Sequence, residues 1–406
     1  MAKFLSPFAS LCLVGLFARL SYALARSPVL PLFALYLGAG PEAIGFAVGV
    51  STVTGIFFKL PAGAMSDVIG RKRTMLVGLA VFAVMPFSYL LVKDYWLLVA
   101  VRFVHGLATA IYGPVSMAVV ADMAGRKKGE MLSWFSSVTI IGNLLGAPFG
   151  GFILHKATGA ARASMADFHN AYLLSGLAGV TALLLALSIL KGETAKRDGG
   201  KLKEALGRFA SGIKEVVSDK RVVVTASMEG LQNMTVGALE AFLPIYAVTV
   251  AGLNEFQAGM LWGVQVVSTI LSKPLMGRTS DRLGRKPLIA AGMFLCALSF
   301  GIVPALKGFY PLMAAATVFG LGEALVTSSS AALVADICKE KHFGTAMGTF
   351  GTIFDIGHAS GPILAGILVA KFGYLQSFLG MATALVVAIP LFILSVKVDR
   401  PAAVSP

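Results

Sequence analysis

Four carboxylates and five basic side chains stand inside long apolar stretches of the 406-residue chain, where charge is costly to desolvate and is kept for a function. The acids are Glu229, Glu240, Glu323 and Asp355; the cations are Arg19, Arg26, Lys59, Arg102 and Lys273. A carboxylate in such a place can take a proton from one side of a membrane and release it on the other. Glu323, in mid-stretch after Gly320 and Gly322, is the first candidate for that role, with Asp355 second and Glu240 third. His358 lies three residues after Asp355, on the same helical face. Arg19, Arg26, Lys59, Arg102, His105, Glu229, Lys273 and His358 are candidates for the wall of a substrate cavity. Arg26 and Glu240 fall at corresponding depths of their stretches and make a candidate pair. His105 and His358 can equally act as hydrogen-bonding packers, and Lys59 and Lys273 can either hold an anionic headgroup or snorkel to the membrane edge. The early stretches hold Arg19, Arg26, Lys59 and Arg102 without a mid-stretch acid, and the late ones hold the four acids with Lys273.

Those residues must be carried by membrane helices. The chain is 57% hydrophobic and 13% charged, against about 25% charged in soluble domains, which excludes a water-soluble enzyme. At about 20 apolar residues per crossing, the sequence divides into twelve spans, near 8–37, 42–66, 74–92, 96–121, 130–154, 170–190, 222–250, 256–277, 288–306, 310–335, 344–370 and 374–396. The first run carries Arg19 and Arg26 and no small-residue cleavage site, so it reads as a retained helix and not as a signal peptide. Of 34 Lys and Arg residues, 24 fall in loops on the side of the N-terminus, five on the opposite side and five inside spans. That bias predicts that both termini are cytoplasmic. The net charge of +14 is therefore topology, with no nucleic-acid partner implied. Cys12, Cys296 and Cys338 imply no disulfide framework.

The predicted organisation is a bundle over 1–190, a cytoplasmic linker over 191–221 and a second bundle over 222–406. In the linker, Leu202, Leu206, Phe209, Ile213 and Val216 recur at helical spacing among basic residues. This fits an amphipathic helix on the anionic leaflet, or a solvated tether between the bundles.

The bundles repeat one another. A shift of 214 residues places Lys59 on Lys273, Gly63 on Gly277, Asp67 on Asp281, Gly70 on Gly284, Arg71 on Arg285 and Asp122 on Asp336. A one-residue slip then matches Gly142, Gly146 and Gly151 to Gly357, Gly361 and Gly366. Duplicated membrane halves with a site between them are the architecture of secondary transporters. Asp67 and Asp281 close short loops beside Gly70 and Gly284, where a carboxylate can pair with Arg71 or Arg285, forming a cytoplasmic gate with Asp122 and Asp336 as partners. Gly142, Gly146, Gly150, Gly357 and Gly361 recur every four residues beside Pro148 and Pro362, and are expected at the interface between the halves.

The stretch from Gly63 to Arg73 resembles motif A of the major facilitator superfamily, and Gly277 to Lys286 is its second copy. Leu98, Arg102, His105 and Gly106 resemble motif B, with His105 where the family usually has Gln. Gly142 to Gly151 resembles motif C of the drug:proton antiporter branch, with its Pro displaced by one position. The resemblance implies an all-α membrane protein of two six-helix bundles, with the tenth helix lining a central cavity. It also implies a proton-coupled exporter of small amphipathic compounds working as a monomer in the cell membrane; a carrier of a specific anionic metabolite is the alternative. Protons, a small molecule and the bilayer are the expected partners, without a cofactor. No HExxH, phosphate loop or Cys/His cluster occurs to suggest an enzyme.

Overall fold

The structure is a computed structural model that describes residues 6–124, 127–156, 163–189, 219–337 and 343–396. Helices α1 (Pro7–Leu24) and α2 (Val29–Tyr36) form the first span, broken at residues 25–28. They are followed by α3 (Pro41–Ile69), α4 (Arg71–Ser88), α5 (Tyr95–Met123), α6 (Lys128–Lys156) and α7 (Met165–Ile189). The second half holds α8 (Lys220–Thr249), α9 (Glu255–Leu283), α10 (Arg285–Ile302), α11 (Phe309–Ile337) and α12 (Phe343–Ser395). The linker helix expected within 191–221 falls almost wholly outside the described residues.

Nine stretches among the described residues are long and apolar enough to cross a membrane. One of them, Ala346–Ser395, is two spans joined at Gly373, whose φ of 75° is accessible to glycine at little cost. Helices α8 and α9 have spanning length at 30 and 29 residues but more polar content, including Glu229, Gln232, Asn233, Glu240, Gln265 and Lys273. Twelve spans therefore stand among the described residues, and the two least apolar carry much of the polar chemistry. Helix starts are fixed locally: Asp94 accepts from the Leu97 amide at 3.0 Å, and Asn254 and Gln257 form a reciprocal capping box.

Within the first half α1 packs on α6 and α7, α3 on α5, and α4 on α5 and α7; α8–α12, α9–α11 and α10–α11 are the main pairs of the second. The halves meet along α3 with α12 and α6 with α9. Those seams are tight at one end. A Cβ at Gly49 would stand 2.7 Å from the Ala359 carbonyl oxygen, one at Gly259 2.5 Å from that of Ala147, and one at Gly366 2.5 Å from that of Pro41. Toward the end that carries the two motif-A loops, nothing among the described residues comes within 4 Å of a Cβ built at Gly277 or Gly351.

The glycine ladders correct an expectation. Gly142 and Gly146 pack on Leu16, Leu20 and Ala23 of α1, Gly150 on Leu24 and Val29, and Gly357 and Gly361 on Gly230 and Met234 of α8, all within their own halves. Neighbours of those glycines on another face of the same helices, Ala147, Pro148 and Gly151 in α6 and Ala359, Pro362 and Gly366 in α12, make the inter-half seam. With 3.6 residues per turn, a step of one residue moves the contact by about 100° and onto a different neighbour.

Candidate functional site: a charged cavity between the halves

A cavity of about 260 Å³ lies between the halves, walled by α1 and α6 on one side and by α8, α9 and α11 on the other. Arg19 and Tyr22 contribute from α1, Arg26 from the break between α1 and α2, and Asn143 from α6. Glu240 comes from α8, Trp262, Gln265, Thr269 and Lys273 from α9, and Glu323 from α11. Five of the sequence candidates thus share one wall: Arg19, Arg26, Glu240, Lys273 and Glu323. Lys59, Arg102, His105, Glu229, Asp355 and His358 lie outside it, in the surrounding helices.

Glu323 is held without a cation. Gln265 Nε2 donates to its Oε2, and Thr269 Oγ1 lies 3.0 Å from the same oxygen. Gln265 and Thr269, four residues apart on α9, present both groups to α11 from one helical face. Among the described residues neither Glu323 nor Lys273 makes an ion pair, although Lys273 is a charged neighbour of Glu323. The cavity therefore presents a carboxylate and an ammonium that are both available to a ligand.

At the closed end of the cavity Arg26 is ion-paired with Glu240 across the halves. His358 Nε2 stands 3.0 Å from Glu240 Oε2 and 2.6 Å from Arg26 Nη2, so α8, α12 and the break between α1 and α2 share one charge cluster. Glu240 is buried to 1% exposure. A second inter-half pair joins Lys59 Nζ of α3 to Asp355 Oδ2 of α12 at 2.5 Å.

The repeat explains why one lysine is paired and its counterpart is not. The symmetric equivalent of Lys59 is Lys273, and the equivalent of Asp355, counted with the one-residue slip, is Ile140. Ile140 lines the same cavity as Lys273, so an apolar residue stands at the position equivalent to the acid that Lys59 pairs with. Arg26 and Glu240 are themselves equivalent under the 214-residue shift, and they pair with each other across the pseudo-two-fold axis.

Arg102 is buried in the first half, its guanidinium 5.8 Å over the Tyr22 ring and its Nη2 2.5 Å from Ser51 Oγ. Tyr89 hydroxyl lies 3.1 Å from His105 Nδ1, and Tyr89 stacks on Tyr172 at 4.2 Å. In the second half Glu229 is fully buried, with Asn233 Nδ2 3.2 Å from its Oε1.

At the motif-loop end, Arg71 Nε donates to Asp122 at 3.2 Å and Arg285 Nε donates to Asp336 at 3.1 Å. Asp281 also pairs with Arg285, at 2.5 Å. The Asp67 side chain lies outside the described part of the structure. Gly70 and Gly284 turn these loops at φ of 106° and 94°. Each latch closes within its own half, linking the start of one helix to the end of another. The gate residues Gly63 and Gly277 lie a helical turn or more before these turns, and a Cβ at Gly63 would meet only Pro114 of its own half, at 4.0 Å.

Sequence reasoning found the charges but not the neutral polar groups that hold them: Tyr22, Ser51, Gln265 and Thr269. A signal was present, since Gln and Asn are rare in apolar spans and Gln265 and Thr269 share the i, i+4 spacing.

Two pseudo-symmetric bundles around a charged central cavity define a transporter fold. The sequence model described as Major Facilitator Superfamily matches residues 11–269 and again 253–406, and the chain belongs to that superfamily of transporters. It is 24% identical over 358 residues to an uncharacterized MFS-type transporter of Methanocaldococcus jannaschii, covering 88% of each chain. It is 25% identical over 345 residues to the vesicular acetylcholine transporter of Rattus norvegicus, covering 82% of this chain and 62% of that protein. Among solved structures, a bacterial homolog of the human lysosomal transporter Spinster, in an inward-facing and unoccupied conformation, aligns with a TM-score of 0.81 at 13% identity over 96% of both chains. The nucleoside transporter NupG aligns with a TM-score of 0.73 at 16% identity, covering 97% of this chain and 100% of that one.

Proposed function

We propose that this transporter is a proton-coupled exporter of small amphipathic organic compounds, working by alternating access as a monomer in the cell membrane. The carrying observation is Glu323: a carboxylate in the cavity wall, held by Gln265 and Thr269, with no ion pair among the described residues. A carboxylate so placed binds either a proton or the cationic group of a cargo, and competition between the two links export of one to entry of the other. Tyr22 and Trp262 supply aromatic surface for the apolar part of such a cargo. The vesicular acetylcholine transporters and the chromaffin granule amine transporters among the relatives carry amines in their names, which supports a cationic cargo. The motif-loop end is read as cytoplasmic, with both termini and the 191–221 linker on that side. The 1–190 and 222–406 bundles then rock about the seam where Gly49, Gly259 and Gly366 approach the other half, and the Arg71 and Arg285 latches bias the equilibrium.

A second reading, a carrier of a specific anionic metabolite, is favoured by Arg19 and Lys273, which line the same cavity without an ion pair among the described residues. Flux of ethidium into proteoliposomes under an imposed pH gradient separates the two. Export of amphipathic cations predicts gradient-dependent ethidium movement that organic anions do not compete with. Absence of that movement, together with salt-sensitive transport of an organic anion, favours the second reading.

A further inference from the structure

The cavity wall carries more polar groups than a simple organic cation engages. Gln265 Nε2 and Thr269 Oγ1 both go to Glu323 Oε2, so among the described residues Glu323 Oε1 accepts no hydrogen bond. Gln265 is 3% exposed, and its own Oε1 has no hydrogen-bond partner. Two oxygens in one corner of the cavity, one charged and one neutral, are therefore free to accept. An ammonium that carries N–H groups satisfies both, whereas a quaternary nitrogen supplies no donor to either.

Opposite that corner stands a cation of the first half. Helices α6 and α9 run antiparallel along the seam: Gly151 meets the Glu255 carbonyl, and a Cβ at Gly259 would stand 2.5 Å from the Ala147 carbonyl oxygen. One turn further into the bundle along both helices, the level holds Asn143 and Gly263, just before Gln265. A Cβ at Gly142 would lie 3.1 Å from Arg19 Cβ, so Arg19 enters the cavity at that level, in the wall that faces Glu323. Lys273 adds a second cation from α9, one turn or about 6 Å beyond Thr269. Neither cation makes an ion pair among the described residues. With Arg26 and Glu240 paired to each other, the lining carries two unpaired cations against one carboxylate. A purely cationic cargo adds to that excess, and an anionic group on the same cargo offsets it.

We propose that the cargo is a zwitterion: a primary or secondary amine whose ammonium sits against Glu323 and Gln265, joined to a carboxylate that Arg19 and Lys273 hold. The inference deepens the reading of Glu323 as the site of the cargo's cationic group and rests on it. Arg19 belongs to the first half and Glu323 to the second, so one cargo molecule ties the two walls together, while Val236, Val266 and Ile270 border its apolar body. Each end makes a charge-assisted contact, and removing either charge from the cargo leaves a charged protein group without its partner. Ethidium engages only the cationic half of this site.

The test uses the full-length protein in nanodiscs and three ligands of one shape. These are para-(aminomethyl)benzoate, which carries both charges, para-(aminomethyl)benzamide, which keeps only the ammonium, and para-(hydroxymethyl)benzoate, which keeps only the carboxylate. Isothermal titration at one pH is expected to show the zwitterion binding about tenfold or more tightly than either relative. Arg19→Gln combined with Lys273→Gln is expected to bring the zwitterion to the affinity of the amide, and Glu323→Gln to bring it to the affinity of the alcohol. Equal binding of the zwitterion and the amide by the wild type overturns the proposal, as does equal binding of the zwitterion and the alcohol, or no binding of the zwitterion. A zwitterion preference that survives in the double variant overturns it too. The wild-type comparison needs no variant to fold, and none of the titrations needs a proton gradient. Gradient-driven ethidium flux reads proton coupling separately: flux without a zwitterion preference overturns this inference alone, and a zwitterion preference without flux overturns proton-coupled export alone.

Discussion

The two halves carry the same loop device and opposite interiors. Arg71 with Asp122 and Arg285 with Asp336 are equivalent under one shift and close at 3.2 and 3.1 Å around glycines of matching φ. Deeper in, the likeness ends. The first half buries a guanidinium, Arg102, beside Tyr22, whereas the second buries Glu229 beside an amide and sets Glu323 in the cavity wall against Gln265 and Thr269. The equivalent of Arg102 is Ala316, and that of Glu323 is Thr109. A duplicated scaffold has thus kept the parts that move both halves alike and divided the parts that bind charge.

The comparison is broken most severely at the inter-half cluster. Glu240→Ala leaves Arg26 beside an empty acid position, and loss of one partner of a buried pair costs about 3–5 kcal/mol. The expected outcome is a large drop in melting temperature of the purified protein. Because Arg26 and Glu240 are symmetric equivalents, the exchange Arg26→Glu with Glu240→Arg recovers part of that loss; equal damage from the exchange would show that the surroundings, and not the pair, set the stability.

The seam at the closed end comes next. Gly259→Val places side-chain atoms against the Ala147 carbonyl, and overpacking of this kind costs about 1–3 kcal/mol. The population is expected to shift toward the state in which this seam opens, read as a change in spin-label distances across it. Unchanged distances would mean that the seam yields without affecting the equilibrium.

The smallest effects belong to the repeated latches. Arg71→Gln and Arg285→Gln each remove a partly exposed ion pair, worth up to about 1 kcal/mol. They are expected to shift the inward and outward populations by similar amounts. A strong inequality between the two would break the symmetry at the loops as well as in the interior.

Much of the architecture was legible because hydropathy and repetition are properties of the chain alone. Predicted spans such as 96–121 and 130–154 lie within α5 and α6, and the 214-residue shift located both latches. The break in the first span at residues 25–28 was passed over, although Arg26, Ser27 and Pro28 stand there and a proline is a helix breaker. Which face of α6 or α12 meets the other half also escaped the sequence: a four-residue glycine ladder marks a close approach without saying to which helix. Arg26 and Glu240 were readable as a pair from depth alone. Lys59 with Asp355 was not, because pairing there depends on how α3 and α12 cross. Gln265 and Thr269 were passed over because attention went to formal charge, although neutral donors decide how Glu323 is held.

An acid found in only one half, in the wall of the shared cavity, is proposed to couple cargo to protons, and everything functional above depends on it. Glu323→Gln tests this most directly, since the amide keeps the shape and removes the exchangeable proton. In proteoliposomes with an imposed pH gradient, this variant is predicted to lose gradient-driven ethidium accumulation and to retain ethidium exchange at equal pH. Full accumulation by well-folded Glu323→Gln protein would contradict that role and move the coupling to Asp355 or Glu240.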